Sequence, residues 1–326
     1  MPLLLGERDV RALIPLPDLI PSMEAALAEY SAGRVIQPVR SVVPIAAHEA
    51  FFGVMPAAIE TPATLGAKLV TVYPGNRAQG LPSHLATIVL FDQATGALAA
   101  ILDGRYITEA RTAAVSAVSV RCLARAEARV LGIVGSGVQA RSHCEALQHV
   151  AAFREIRVWS PSSDRRDAFA SELGTAGLVV RSVATASAAV RGADVIVLAT
   201  SSPTPVIAAE DVGEGTHVCA VGACRPDQRE MTSALIKRSR VFVDSRAGAL
   251  QEAGDLLLPI REGVITEDHI AGELGEVLIG RIRGRRHAAD ITIFKSLGMA
   301  VEDVAAARLA VDRARQRGLG YMFRLA

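Results

Sequence analysis

The sequence has few aromatic residues, no long hydrophobic run and almost no net charge. Phe, Trp and Tyr make up 4% of its 326 residues, so its core must be built from aliphatic side chains. Lys and Arg number 35 against 34 Asp and Glu, which excludes the basic surface that nucleic acids or anionic membranes attract. No apolar run approaches the ~20 residues that cross a bilayer, and charges at positions 7–9 interrupt the apolar start, so no signal peptide is predicted. We expect a globular, cytoplasmic protein without nucleic-acid or membrane partners.

Cysteine is also scarce, and its positions suit neither a disulfide framework nor a metal site. The four cysteines lie at positions 122, 144, 219 and 224, without a Cys-x-x-Cys pair, and the seven histidines show no spacing typical of ligands. We therefore expect reduced cysteines that pack as small hydrophobic residues, and no bound metal ion.

Short apolar runs alternate with amphipathic stretches in the second half of the chain. The intervening stretches, such as 140–149 and 165–173, have apolar residues at helical spacing. The runs themselves are rich in Val and Ile and end in turn formers, at residues 129–134, 156–160, 178–183, 194–200, 217–221 and 241–244. Buried strands that alternate with helices predict a doubly wound parallel α/β sheet.

The first part of the chain shows a different pattern. A helix is predicted at 17–32, and helices at 109–124 and 298–317 flank the α/β half, the last ending before Gly318. Between the first two helices, β-rich stretches follow one another without a helix, at residues 39–44, 51–55, 65–72, 85–91 and 98–102. Consecutive strands of this kind indicate an antiparallel or mixed sheet.

A glycine-rich turn joins the first strand of the α/β half to its helix. Gly135 and Gly137 begin the motif GSGVQA (135–140), a G-x-G-x-x-A pattern directly between the two elements. The glycines allow a tight turn and a close approach to a pyrophosphate, which the helix N-terminus can bind. We predict that this turn binds a dinucleotide, with Val138 and Gln139 among the contacts.

The end of the second strand indicates which dinucleotide is bound. An acidic residue there would accept hydrogen bonds from the ribose 2′-hydroxyl of NAD. This chain instead has Ser160 and Ser162, followed by Arg165 and Arg166. Hydroxyl and guanidinium groups suit a 2′-phosphate, so NADPH is favoured, with NAD as the alternative.

Five further motifs together resemble those of the ornithine cyclodeaminase/mu-crystallin family. They occur in order along most of the chain: GAKLV (66–70), LPSHLAT (81–87), EARTAA (109–114), VGACRPD (221–227) and FKSLGMA (294–300). The resemblance implies a Rossmann NAD(P)-binding domain, residues 119–299, inserted into a substrate-binding and dimerisation domain formed by 1–118 and 300–326. It also implies a homodimer that acts on α-imino or α-amino acids.

Three cationic residues of the first half match the family's carboxylate-binding positions, namely Arg40, Lys68 and Arg111. Such groups can hold a carboxylate beside a C=N carbon, so that a hydride reaches that carbon at near-attack distance. Reduction also requires a proton on the nitrogen, which Lys68 or His84 could donate.

The resemblance implies cofactor contacts outside the glycine-rich turn as well. Helix N-terminal amides and strand ends suit this role. The positions lie in the family motifs or end a predicted strand: Ser83, Arg111, Thr112, Thr200, Val221, Gly222, Ser296, Leu297 and Gly298.

The loop after 217–221 departs from the cyclodeaminase pattern. Ornithine cyclodeaminases resemble this chain in this loop, but they have a catalytic aspartate at the position of Cys224. We interpret Cys224 as a substrate contact. Cyclodeamination needs a carboxylate that moves protons at the substrate nitrogen, and Cys224 is a poor substitute. Asp227 either supplies part of that proton transfer or has a capping or ion-pair role for the following helix.

We therefore predict reduction of cyclic ketimines, Δ1-pyrroline-2-carboxylate or Δ1-piperideine-2-carboxylate, to proline or pipecolate. Three alternatives stay open: an ornithine or lysine cyclodeaminase with bound NAD, another imine-reducing amino-acid dehydrogenase, and a non-catalytic binding protein gated by NADPH.

Overall fold

The computed structural model describes residues 1–174 and 178–324 and divides into two compact units. Unit 1 is Met1–Arg111 with Gly298–Ala326, and unit 2 is Thr112–Leu297. The domain boundaries expected from the sequence lay at 118/119 and 299/300. The observed first boundary, between Arg111 and Thr112, lies inside one continuous helix, Arg105–Leu123. The apolar periodicity of this helix does not show where one unit ends and the other begins.

The secondary-structure elements are numbered here in chain order. The strands are β1 (Leu3–Leu5), β2 (Val35–Ile36), β3 (Ser41–Ile45), β4 (Ala50–Ile59), β5 (Thr64–Val72), β6 (His84–Phe91), β7 (Leu98–Asp103), β8 (Val130–Val134), β9 (Glu155–Trp159), β10 (Val179–Ser182), β11 (Val195–Leu198), β12 (His217–Ala220), β13 (Arg240–Val243), β14 (Ile270–Glu273), β15 (Thr292–Lys295) and β16 (Tyr321–Met322). The helices are α1 (Glu7–Leu13), α2 (Leu16–Ser31), α3 (Arg105–Leu123), α4 (Val138–Leu147), α5 (Ser163–Leu173), α6 (Ala186–Val190), α7 (Ser233–Lys237), α8 (Arg246–Glu252), α9 (Gly254–Arg261), α10 (Leu274–Leu278) and α11 (Ala300–Arg317).

Unit 1 is built on a mixed sheet, as its sequence pattern predicted. The strand order is β16-β1-β7-β6-β5-β4-β2, and β3 pairs with β4. Only the β1–β7 pair is parallel among the pairings described for this sheet. Helix α11 packs on β4 and β5. Gly66 on β5 allows this close approach, because a Cβ there would lie 3.3 Å from Val304 Cγ2 of α11 and 2.6 Å from the Val89 carbonyl oxygen of β6.

Unit 2 is a doubly wound parallel sheet, which confirms the predicted fold class. Its strand order is β10-β9-β8-β11-β12-β15-β13-β14, and every described pair is parallel. Strands β11 and β12 are completely buried, as expected for central strands covered on both faces. The chain winds outward from β8 to β10 and resumes at β11 on the other side of β8. Open α/β sheets bind ligands at the carboxyl ends of the strands at such a reversal.

No helix in the described ranges combines the length and apolar character that a membrane crossing requires. Of the cysteines, Cys144 and Cys219 are buried, Cys122 is partly buried and Cys224 is exposed, which corrects the expectation of burial for the last of these. It lies in a loop after β12 rather than in an element that packs on the core.

Two histidines of unit 2, His143 and His217, are completely buried. Burial lowers the pKa of His143 to about 4 and that of His217 to about 3. Their ring nitrogens bond to hydroxyls of α3, His143 Nε2 to Ser116 Oγ at 2.9 Å and His217 Nε2 to Ser119 Oγ at 3.1 Å. Because the folded chain keeps both rings neutral, the unfolded chain binds more protons below the ordinary histidine pKa of about 6.5.

We therefore expect the free energy of unfolding to fall as the pH drops from about 6.5 towards 4, by at most about 1.4 kcal/mol per pH unit for each histidine. Urea unfolding between pH 7.5 and 5 measures this slope, above the range in which most carboxylates titrate. A His143→Gln variant should show a shallower slope than wild type. Equal slopes for the two proteins would contradict the prediction.

Candidate active site

A buried cluster of opposite charges lies between β5 and α11 in unit 1. The Lys68 side chain is 2% exposed, and its Nζ lies 2.6 Å from Oδ2 of Asp303. The other oxygen of Asp303 accepts a 2.9 Å hydrogen bond from Nε of Arg111. Nη1 of Arg111 also donates to Oε2 of Glu302 at 2.7 Å. One completely buried carboxylate, that of Asp303, therefore joins two of the three cations that the sequence singled out.

The local sequence explains this burial. Strand alternation places Lys68 on the inward face of β5, together with Gly66 and Val70. A buried ammonium needs an anionic partner, and α11 supplies it from its first turn, where the helix dipole also favours negative charge. Gly298, just before α11, has a φ of +80°, and a Cβ there would lie 2.3 Å from Nη1 of Arg111. A glycine is thus required where the guanidinium packs against the backbone.

Arg40 extends the cluster from another part of unit 1. Its Nη2 donates to the Gly298 carbonyl oxygen at 3.2 Å. By formal charge, Arg40, Lys68 and Arg111 are three cations, whereas Asp303 and Glu302 are two anions. The surplus positive charge suits an anionic ligand such as a carboxylate.

Burial also changes the proton affinities of the cluster. It lowers the pKa of Lys68 to about 8, with Asp303 opposing this shift and the charge of Arg111 adding to it. His84, at the start of β6, has its pKa lowered to about 4 by burial and by the charges of Lys68 and Arg111. Burial alone would raise the pKa of Asp303, but Arg111 and Lys68 outweigh it and lower that pKa. Near neutral pH, Lys68 can release and regain a proton, whereas His84 carries no imidazolium proton.

In unit 2 the glycine-rich turn lies at the carboxyl end of β8, as the sequence indicated. Gly135 has a φ of +121°, and a Cβ there would lie 2.4 Å from the Ala199 carbonyl oxygen, so the fold itself requires a glycine. Gly137 caps α4 with an extended backbone, φ −82° and ψ −169°, and a Cβ there would meet nothing within 4 Å. Val138 follows it and is exposed, and Gln139 is partly buried. The protein leaves open space at this helix N-terminus, which fits a dinucleotide pyrophosphate.

Of the two serines predicted to suit a 2′-phosphate, Ser160 contacts this turn. Ser136 Oγ donates to Ser160 Oγ at 2.9 Å, which links the turn to the end of β9. Ser162 caps α5 by accepting a hydrogen bond from the backbone N–H of Arg165, whose side chain is exposed. Arg166 Nη1 donates to the Ser160 carbonyl oxygen at 3.0 Å.

The other predicted cofactor residues of unit 2 follow β11, β12 and β15. Thr200 lies in the loop after β11. Gly222 lies in the loop after β12, where it follows the buried Val221. After β15, Ser296 Oγ and the Leu297 N–H both donate to Asp244 Oδ2, at 3.3 and 2.6 Å.

The remaining predicted residues differ in how far they are exposed. Cys224 is exposed. Asp227 is 63% exposed and pairs with Arg225 at 3.2 Å. In unit 1, Ser83 is partly buried and precedes β6, whereas Thr112, the first residue of unit 2, is 9% exposed.

Sequence reasoning missed the acidic partners of the site. Two adjacent acids, Glu302 and Asp303, lie inside the apolar run MAVEDVAAA (299–307). Acids in an otherwise apolar helix were the feature of the sequence that could have indicated buried partners for the cations. It also missed the buried residues Glu230, Asp255 and Lys295 of unit 2. Within residues 1–174 and 178–324, no group of three or more His, Cys, Asp or Glu side chains is arranged to hold a metal ion.

A Rossmann-type unit with an open glycine turn and a second unit with a buried cation cluster define a two-unit α/β protein. The chain belongs to the ornithine cyclodeaminase/mu-crystallin family, whose sequence pattern matches residues 2–318. It is 45% identical over 297 residues to the ketimine reductase mu-crystallin of Mus musculus, covering 90% of this chain and 91% of that protein.

Two solved structures are similar over almost the whole chain. The Δ1-pyrroline-2-carboxylate reductase of Thermococcus litoralis, in complex with NADH and L-proline, has a TM-score of 0.96 and 37% identity, covering 98% of this chain and all of that one. An archaeal alanine dehydrogenase dimer with bound NAD has a TM-score of 0.95 and 30% identity, covering 100% of this chain and 99% of that one.

Proposed function

We propose that this chain is an NAD(P)H-dependent oxidoreductase that reduces cyclic ketimines, Δ1-pyrroline-2-carboxylate and Δ1-piperideine-2-carboxylate, to L-proline and L-pipecolate. The observation that carries the proposal is the buried Lys68–Asp303–Arg111 cluster, which combines a surplus of positive charge with a lysine of lowered pKa. The similarity to a ketimine reductase and to a Δ1-pyrroline-2-carboxylate reductase supports the same reaction.

Each residue of the cluster has a distinct task in this reaction. Arg40 and Arg111 bind the substrate carboxylate, and Asp303 and Glu302 hold the Arg111 guanidinium in a fixed orientation. Lys68 donates a proton from Nζ to the ring nitrogen, since it is protonated at neutral pH and its pKa is close enough for rapid exchange. A bound NADPH or NADH supplies the hydride for the imine carbon. The C=N bond becomes a C–N single bond, and Lys68 is reprotonated from water.

We propose NADPH as the preferred cofactor. The end of β9 offers the hydroxyls of Ser160 and Ser162 and the cations of Arg165 and Arg166. The nearest carboxylate, Asp164, is exposed and accepts a hydrogen bond from Ser163 Oγ at 3.2 Å. Cations without a carboxylate at the strand end favour a 2′-phosphate over a free ribose diol.

Incubation of the purified protein with each imine, and with NADPH or NADH, tests both proposals. We expect oxidation of the dinucleotide with either imine, formation of proline or pipecolate, and a higher kcat/KM for NADPH. Absence of oxidation with both imines between about pH 5 and 9 would remove the proposed reaction. Release of ammonia from ornithine without net oxidation would indicate a cyclodeaminase instead, and cofactor binding without turnover a binding protein.

We also propose that the chain forms a homodimer through unit 1. Large apolar side chains are exposed on its strands and in the turn before β6, namely Ile36 at 75%, Val42 at 48%, Val43 at 54%, Leu81 at 53% and Leu85 at 44%. Groups of exposed apolar residues often mark protein interfaces, and the similar archaeal alanine dehydrogenase is described as a dimer. Light scattering should therefore give about twice the chain mass of 34.3 kDa. A monomeric mass over a wide range of protein concentrations would contradict this prediction.

A further inference from the structure

Unit 2 contains a buried charge cluster that the proposed reaction does not use. It consists of Glu230, Asp255 and Lys295, each of which is completely buried. Lys295 Nζ lies 3.0 Å from Asp255 Oδ2. Asp255 Oδ1 accepts the backbone N–H groups of Glu230 and Met231 at 2.8 and 3.2 Å. Buried charges are stable only when they are well paired. These contacts therefore fix the position of the Glu230 backbone and of the residues around it.

The carboxylate of Glu230 joins the loops after two neighbouring strands. Its Oε1 accepts both the N–H and the hydroxyl of Thr200, each at 2.7 Å. Its Oε2 accepts the N–H groups of Gly222 and Ala223 at 2.9 and 3.1 Å. Thr200 follows β11, whereas Gly222 and Ala223 follow β12. One side chain therefore sets the distance between two loops at the carboxyl edge of the sheet, where this fold binds ligands.

Lys295 completes the arrangement from β15. Its Nζ donates to the Ala223 carbonyl oxygen, so Ala223 is held at its N–H by Glu230 and at its carbonyl by Lys295. Gly222 has no room for a side chain, because a Cβ there would lie 2.2 Å from the Thr200 carbonyl oxygen and 2.4 Å from Glu230 Oε1. The two loops are packed against each other as closely as their backbones allow.

We propose that Glu230 is a positioning residue for dinucleotide binding. It holds the Thr200 loop and the Gly222–Ala223 loop at the separation that the cofactor needs, and Lys295 and Asp255 hold Glu230 and Ala223 in register. The inference rests on the proposed function only in that Thr200 and Gly222 contact the cofactor.

Two substitutions of Glu230 and one matched control test this role. Glu230→Gln keeps the size of the side chain but replaces one acceptor oxygen with an NH₂ donor that faces N–H groups. Glu230→Asp keeps the charge near Lys295 but is one methylene too short to reach both loops. The control is Asp194→Asn, because Asp194 also accepts two backbone N–H groups, of Arg129 and Val130 at 2.8 and 3.0 Å, but at the amino ends of the strands.

We expect the dissociation constant for NADPH to rise at least tenfold in both Glu230 variants and less than twofold in Asp194→Asn, each measured by fluorescence titration where the variant is fully folded. Hydrogen exchange should accelerate at the amides of Thr200, Gly222 and Ala223 in the Glu230 variants, and at those of Arg129 and Val130 in the control. This second measurement reports whether the amide hydrogen bonds that hold the loops are kept, without any substrate.

The possible outcomes are distinguishable. Folded Glu230 variants that bind NADPH as tightly as the control would overturn the positioning role. A wild-type protein that binds a dinucleotide but reduces no imine would overturn the proposed reaction and leave this role standing. A wild-type protein that binds neither dinucleotide would overturn both.

Discussion

Replacing Lys68 with methionine should lower kcat/KM for the imine by about 10³-fold or more, because the change removes the proton donor and one of the three positive charges of the site. Methionine has a similar length and fills the same volume. Asp303 keeps its hydrogen bond from Arg111, so the buried carboxylate is not left without a cation. In the wild type, activity should also fall as the pH rises through about 8, where Lys68 loses its proton.

Two further substitutions separate these roles. Lys68→Arg keeps the positive charge but has a pKa too high for proton donation. It should bind the imine with a KM near that of wild type, show a low kcat and lose the decline above about pH 8. Lys237→Met, at an exposed site at the end of α7, should leave every parameter unchanged. Steady-state kinetics and circular dichroism check these expectations, and a Lys68→Met enzyme with more than a tenth of wild-type activity would show that another group donates the proton.

Replacing Gly137 with alanine should abolish tight dinucleotide binding without harming the fold. The backbone there is extended, and an added Cβ meets no protein atom within 4 Å. Alanine should therefore not lower the stability of the protein without its cofactor. A pyrophosphate at the N-terminus of α4 would collide with that methyl group. We expect the dissociation constant for NADPH to rise at least tenfold, with the free energy of unfolding within about 1 kcal/mol of wild type.

Two other glycines serve as controls for this result. Gly213→Ala also places its Cβ in open space, but away from the strand ends that carry the predicted cofactor residues, and should bind NADPH normally. Gly135→Ala should lower the stability of the fold, since its φ is +121° and its Cβ would lie 2.4 Å from a carbonyl oxygen. Calorimetry gives both affinity and stability. Unchanged affinity in Gly137→Ala would show that the turn does not bind the dinucleotide.

The sequence predicted those elements whose pattern is strong and local. Each of the six apolar runs that suggested buried strands is a strand of the parallel sheet, and the mixed sheet of unit 1 was also expected. Helices α7 to α10 and strand β14 were not predicted, because each is only four to eight residues long and a helical or strand period cannot be recognised reliably over so few residues.

Most of the cationic site residues were also found from the sequence, but their partners were not. Lys68 and Arg111 are recognisable because each is a cation in an apolar stretch within a family motif, and Arg40 because it matches a carboxylate-binding position of the family. Asp303 lies 235 positions after Lys68 (303 minus 68), and no periodicity within a single element connects residues so far apart. The partners of Glu230 could not be predicted either, because it accepts hydrogen bonds from two loops that are neighbours only through the strand order of the sheet. Pairing over such distances is a property of topology, which local patterns do not encode.

The burial of lysine has a chemical consequence for handling this protein. The sequence contains three lysines, and Lys68 and Lys295 are both enclosed in the folded chain, at 2% and 0% exposure. Reagents that acylate amines therefore reach Lys237 and the amino terminus first. Attachment of a dye or a surface linker to the folded protein is confined to these points, and acylation of Lys68 or Lys295 reports that the unit containing that lysine has unfolded locally.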